Sequence, residues 1–258
     1  MSVIRGGLFV IASVLFFISL LVGGLLWTIS LSLEYNVIKP ELSSVIENVI
    51  IDNASFSEIV EEKFPAMEEY CENNSEFVFS RDGYAIDIPC ETFEEGTSAV
   101  RNETVSDIAD EIYYQEYDCS FIQCFKESAG KPFFLISEMA KNYWRNKLYV
   151  VLTFSFIILI SMFLLIENKT NLPLVAGPIL IIASLFFTKL DWFSSFTPEK
   201  ILLQIISVFF TQSLGVFWRF FITGILVLVA GVFIKFFGIG FGVSEIVSRF
   251  TRNKRRQT

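Results

Sequence analysis

Residues 6–33 read GGLFVIASVLFFISLLVGGLLWTISLSL, 28 positions without a charge. As a helix rising about 1.5 Å per residue, this run exceeds the roughly 30 Å hydrocarbon core of a bilayer. It predicts a transmembrane helix that crosses with tilt or keeps one end solvated. A cleaved signal peptide is the rival reading, because Arg5 precedes the run. Signal h-regions are shorter, about 7–15 residues, and close on a small-residue cleavage site. Here the run ends in Trp27 and polar serines, so residues 1–33 are assigned to a retained first span.

The rest of the chain repeats that composition in its second half. The 258 residues are 53% hydrophobic, with mean hydropathy +0.54, 29 phenylalanines and no histidine. Only 19% are charged, against about a quarter in soluble domains. The absence of histidine removes a His general base, His-ligated haem and most catalytic zinc sites. A second span is expected from Leu148 to Ile166, with Tyr143, Trp144 and Tyr149 as its interfacial belt. A third runs from Leu172 to Thr188, with Pro173 near its start and a kink at Pro178. The stretch Ile201–Phe237 is too long for one crossing. Splitting it at Gly215 gives an interfacial or re-entrant helix over 199–214 and a fourth span from Val216 to Phe237. A fifth complete span leaves little room for a polar turn.

Basic residues in short flanks set orientation. Arg5 precedes the first span, and Arg249, Arg252, Lys254, Arg255 and Arg256 follow the last. Both termini are therefore expected in the cytoplasm of a multi-pass cell-membrane protein, with residues 34–147 outside. That outer segment carries 24 Asp and Glu against 9 Lys and Arg, a net charge of −15. Such a surface repels nucleic acid and anionic lipid heads and keeps a domain soluble. Calcium binding is the alternative for so many carboxylates, but neither Asp82-Gly83 nor Glu94-Glu95-Gly96 fits the EF-hand loop.

All four cysteines, Cys71, Cys90, Cys119 and Cys124, lie in this segment, as expected for two disulfides in an oxidising exterior. A four-thiolate zinc site would show paired C-x-x-C knuckles, which are missing. The connectivity stays open: an unbroken helix through Cys119 and Cys124 would separate them by about 7.5 Å of rise alone, so a local bridge needs a turn there. Three sequons, at Asn53, Asn73 and Asn102, make the outer segment a candidate glycoprotein. A fourth, at Asn168, falls in the expected cytoplasmic turn and should stay unmodified.

The outer domain reads as helix-rich. Leu42, Val45, Ile46, Val49 and Ile50 recur at helical spacing, and Val105–Lys126 is partly helical with Ile108, Ile112 and Tyr113 on one face. Residues 76–89 alternate like a hairpin, with Phe77, Phe79, Ile86 and Ile88 around an Arg81-Asp82-Gly83 turn. Pro132 is expected to start a helix running unbroken into the second span.

No recognisable catalytic motif is present, and neither a cofactor nor a metal site is expected. Gly238-Ile239-Gly240-Phe241-Gly242 lacks the spacing of a phosphate cradle and reads as a hinge or close-packing face. Lys200, Gln204, Ser207 and Thr211 share one helical face among apolar neighbours. They form either a stripe floating at the interface or the lining of a water-filled path. Arg219, beside Trp218 near the outer end of the fourth span, is expected to snorkel. Residues 238–258 read as an amphipathic helix on the inner leaflet, with Arg252, Lys254, Arg255 and Arg256 on anionic lipid.

The stretches Asn146-Lys147-Leu148-Tyr149, Glu167-Asn168-Lys169-Thr170-Asn171-Leu172-Pro173 and Lys235-Phe236-Phe237-Gly238-Ile239-Gly240 resemble uncharacterised multi-span membrane proteins of small-genome archaea. The resemblance implies a single-membrane archaeal cell surface and no activity. The expected fold is all-α and membrane-embedded: four transmembrane helices, with a helix-rich, disulfide-bonded outer domain between the first and second. The expected role is non-enzymatic contact, assembly or envelope organisation, with the bilayer, a homo-oligomer or an extracellular protein as partner. The alternative is a subunit of an oligomeric channel or transporter.

Overall fold

The computed structural model describes residues 3–46, 55–81, 84–127, 132–194 and 207–254. The helices are α1 (Val3–Ser32), α2 (Tyr35–Ile46), α3 (Ser55–Cys71), α4 (Glu91–Glu94), α5 (Thr97–Tyr114), α6 (Phe121–Glu127), α7 (Glu138–Leu165), α8 (Leu172–Ser194) and α9 (Ser213–Lys254). Strands β1 (Glu76–Arg81) and β2 (Tyr84–Pro89) form an antiparallel pair. The chain divides into two compact units. One comprises Met1–Trp27, Lys147–Trp192 and Gln212–Thr258; the other comprises Thr28–Asn146 with Phe193–Thr211.

Four helices are long and apolar enough to cross a membrane, at Val3–Ser32, Glu138–Leu165, Lys169–Leu190 and Ser213–Phe237, and the first unit is built from most of their length. Their outward faces carry large apolar side chains such as Phe156, Leu226 and Phe233. In water this surface would be an aggregation hazard; against acyl chains it costs nothing. Phe16, Leu20, Ile158, Met162, Ala176 and Ala183 fill the shared interior. The Ser155 hydroxyl lies 2.9 Å from the Val151 carbonyl and 2.5 Å from the Ser19 hydroxyl, so α1 and α7 share a closed hydrogen-bonded pair.

Small residues bring α8 and α9 together, as expected where packing rather than water drives helix association. A Cβ on Gly177 would stand 3.0 Å from the Gly224 carbonyl, and one on Gly224 would stand 3.0 Å from the Gly177 carbonyl. The backbones touch there, which only glycine allows. Pro178 sits next to this contact inside an uninterrupted α8, where its missing N–H leaves the carbonyl one turn earlier without its usual donor.

Helix α7 ends at Leu165, leaving its last carbonyls without intrahelical donors. Arg5 supplies them: Nε donates to Leu165 O at 2.6 Å and a terminal nitrogen to Leu164 O at 3.0 Å. Lys169 donates to Phe163 O and lies 4.6 Å over the Phe163 ring. Two cations thus cap one helix C-terminus, the end that favours positive charge. At Asn168 the side chain accepts from Thr170 N and starts the short 3-10 turn Lys169–Asn171 that leads into α8.

The second unit is built around α5. Val100, Ile108, Ala109, Ile112 and Tyr113 are buried and join Ile38, Leu42 and Ile46 of α2 in one core. The hairpin register pairs Phe77 with Ile88, placing that face against Phe93 and the rest of this core. Gly96 adopts φ +94° between α4 and α5, a left-handed conformation that suits glycine.

Val105–Lys126 is partly helical, as expected: α5 stops at Tyr114 and six residues without helix precede α6. Three boundaries differ from those expected. Pro132 opens only a 3-10 turn to Ile136. Ser137 then breaks the chain, its hydroxyl accepting from Ala140 N at 3.4 Å and donating to Phe134 O at 2.7 Å, and α7 runs unbroken from Glu138. The expected break at Gly215 lies earlier, in a turn over residues 209–212. Gln212 precedes the helix and its carbonyl accepts from Val216 N at 3.1 Å, so the helix is already under way at Gly215. Finally, α9 continues past Phe237 through the three glycines to Lys254, so the tail helix and the fourth span are one helix rather than two.

Candidate functional site

Among the described residues of the second unit, a dense polar arrangement joins α2 to α5. Tyr35 and Lys39 stand one turn apart, which puts both on one face. The Tyr35 hydroxyl donates to Asp110 Oδ1, and Lys39 Nζ donates to the Tyr35 oxygen at 2.8 Å. Lys39 also pairs with Asp110 at 3.0 Å and lies 5.3 Å from the Tyr35 ring centroid. Tyr113 and Tyr114 pack their rings against Tyr35. One turn of the core further, the buried Tyr113 hydroxyl donates to Leu33 O at 2.9 Å, satisfying a carbonyl just past the end of α1.

Electrostatics show what this cluster can do. Burial, then the hydrogen bond to Asp110, raises the Tyr35 phenol above its ordinary value. The hydrogen bond to Tyr35 raises Lys39, with Asp110 adding to the effect. Burial also raises Tyr113, helped by Glu138 and Glu34. A lysine poised as a base or nucleophile is lowered, not raised. These groups hold their protons and spend them on internal bonds, so the cluster ties elements together.

The cysteines form two pairs at disulfide distance, Cys71 with Cys90 (Cα–Cα 5.2 Å) and Cys119 with Cys124 (5.6 Å). The second pair is local because the non-helical residues before Phe121 provide the turn that such a bridge requires. The first joins the end of α3 to the end of β2, beside Ser75 O, which accepts from Cys90 N at 3.0 Å.

Among the sequons, Asn73 is exposed in the bend after α3, with Ser75 exposed beside it. Asn102 is exposed on α5, but its Thr104 is buried and donates to Val100 O at 2.7 Å. Asn102 borders a recess of about 600 Å³ with Glu91, Glu95 and Glu103. Among the described residues, no group of three carboxylates or thiolates converges as metal ligands. Asn53 lies outside the described residues.

The proposed polar stripe is only half visible. Lys200 and Gln204 lie outside the described residues, as do Arg255, Arg256 and the side chains of Arg252 and Lys254. Ser207 belongs to a last helical turn, whereas Thr211 sits in the following turn and donates to Val208 O at 3.0 Å. Arg219 is exposed, and its guanidinium lies 5.2 Å from the Trp27 ring centroid, a cation–π contact within the first unit.

Sequence reading missed Tyr35, Lys39, Asp110 and Tyr113 as a group. The only local signal was the spacing of Tyr35 and Lys39; their partner lies 71 residues from Lys39. No family model matches the chain, and no curated protein or solved structure matches it.

Proposed function

We propose that this chain is a non-enzymatic integral membrane protein of the cell surface, serving contact, assembly or envelope organisation through residues 34–147. The observation that carries this reading is how the first unit is filled. Four apolar helices occupy their shared interior with Phe16, Leu20, Met162 and the Gly177–Gly224 contact, the packing of an anchor. In the second unit, Tyr35, Lys39, Asp110 and Tyr113 are engaged with one another and with the Leu33 carbonyl, while residues 34–147 carry a net charge of −15. Arg5 and Lys169, gathered at one end of α7, support a cytoplasmic location for that end under the positive-inside rule. Paired cysteines and the exposed Asn73 support an oxidising, glycosylating exterior for the other unit.

A conduit, on this reading, would have to form between copies, with Ser207 at its edge. The test is paired: ion flux in reconstituted vesicles, and amine cross-linking of the outer segment on intact cells. The expected result is no flux and discrete cross-linked adducts. Flux that disappears in Ser207→Leu while assembly persists would replace this reading with the channel subunit.

A further inference from the structure

We propose that α6 is a membrane-docking element, seating Ile122 and Phe125 at the headgroup–acyl boundary of the outer leaflet with Lys126 among lipid phosphates. The inference rests on the reading of α7 as a membrane span. Helix α6 is held as a unit. Ser120 N and Oγ both donate to Gln123 Oε1, at 3.1 and 2.8 Å, as a capping interaction at its start. The Cys119–Cys124 pair closes the same turn. Its inner face is Phe121 and Cys124, both buried. Phe121 stacks on Tyr143 at 4.3 Å between ring centroids and meets Trp144 edge-on at 5.5 Å.

Those two aromatic residues lie in the second turn of α7, and Trp144 precedes Leu148, where the apolar run begins, by four positions, about 6 Å along the axis. Aromatic rings at that depth sit at headgroup level. Whatever stacks directly on them is at the same level.

The other face of α6 fits such a place. Ile122 is 50% exposed and Phe125 63% exposed. They and Lys126 stand at i, i+3 and i+4, so all three share one face. Two large apolar side chains open to water on one short helix are unfavourable in a soluble surface and ordinary in an interfacial one.

Charge points the same way. From residue 34 to 125 the outer segment has 4 Lys and Arg against 22 Asp and Glu; from 126 to 147 it has 5 against 2. The local net charge therefore changes from −18 to +3 where the chain approaches the bilayer. Lys141 is engaged by Glu34 at 3.0 Å, whereas Lys126 and Arg145 are exposed. A domain that repels anionic lipid as a whole thus has one region that attracts it.

The test places p-benzoylphenylalanine at position 125 of the full-length protein. The protein is held in nanodiscs of phosphatidylcholine, with or without phosphatidylglycerol, and adducts are read by peptide mass spectrometry after illumination. Position 156, exposed in the middle of α7, is the membrane control, and position 78, exposed on β1, is the solvent control. Lipid adducts are expected at 125 and 156 and not at 78. Phosphatidylglycerol should raise the yield at 125, and Lys126→Gln should reverse that gain by up to about fivefold, the weight of one basic residue near an anionic surface. Adducts at 156 with none at 125, equal adducts at 78 and 125, or cross-links from 125 to a second copy would each overturn docking while leaving the membrane reading intact. No lipid adduct at 156 would overturn the membrane reading itself.

Discussion

Gly177→Ala is the sharpest probe of how α8 and α9 meet. The added methyl would lie 2.8 Å from Leu228 Cβ, 2.9 Å from Leu228 N and 3.0 Å from Gly224 O. Two of these three are backbone atoms, so the clash cannot be relieved by one side chain rotating away. Overpacking of this kind costs about 1–3 kcal/mol. Alanine is also the better helix former by about 1 kcal/mol, which offsets part of that cost and blurs a single measurement. Gly6→Ala removes the ambiguity: Gly6 is helical, with nothing within 4 Å of its added Cβ. The propensity gain is common to both variants, so their difference isolates the contact, expected at about 1–3 kcal/mol. Equilibrium unfolding in mixed micelles, followed by tryptophan fluorescence, provides both values. Gly224→Ala then completes a cycle. Each methyl presses on the other glycine's carbonyl, so separating the helices for the first makes room for the second. The double variant should cost less than the sum by at least about 0.5 kcal/mol. If Gly177→Ala and Gly6→Ala agree within about that margin, the close approach of the two backbones is wrong.

Four more outcomes follow from the same structure. Tyr113→Phe leaves the Leu33 carbonyl without its donor in a buried setting and should cost about 1–3 kcal/mol, read from thermal unfolding. Tyr35, Lys39 and Tyr113 all have folded-state values raised above the ordinary 10.0 or 10.5. The folded chain keeps protons that the unfolded chain releases, so stability is complete below about pH 10 and declines as pH rises further, a limb that Tyr113→Phe should flatten in an alkaline titration. Replacing Cys71 and Cys90 with alanine opens a closure of 19 residues, and replacing Cys119 and Cys124 one of 5; the expected losses are about 3 and about 2 kcal/mol, and a reversed order in denaturant titrations would contradict the pairing. Arg5→Gln removes the charged donor from the Leu164 and Leu165 carbonyls and should lower bundle stability by about 1.5–3 kcal/mol, with the second unit's own transition unchanged.

The elements legible in the sequence are those with a local cause. An uncharged run as long as residues 6–33 has few ways to be anything but a span. The alternation through Phe77, Phe79, Ile86 and Ile88 can satisfy only a hairpin, and the register pairs Phe77 with Ile88 accordingly. Ile108, Ile112 and Tyr113 do lie on the buried face of a helix. The turn expected at Gly215 lies at residues 209–212 instead, because glycine is tolerated inside close-packed helices and does not by itself end one. The contact of Tyr35 and Lys39 with Asp110 and the bond from Tyr113 to Leu33 had no local signature, because each depends on α5 crossing a segment read 71 to 80 residues earlier. Arg5 was legible as a positive flank but not as the cap of a helix some 160 residues away.

The ion pair between Glu34 and Lys141 has a consequence for how the protein is made. The two residues are 107 apart, one just after α1 and the other at the start of α7. Bringing two points that distant together in a flexible chain costs about 4 kcal/mol of closure entropy. Ser19 and Ser155, separated by 136 residues, face the same cost during synthesis. A folded second unit has already met it, because it holds Leu33 to Tyr113 by a buried hydrogen bond and Glu34 to Lys141 by a surface ion pair. On that order of events, α7 leaves the ribosome with its upstream end tethered near the exit of α1, and the serine pair forms as a short-range search.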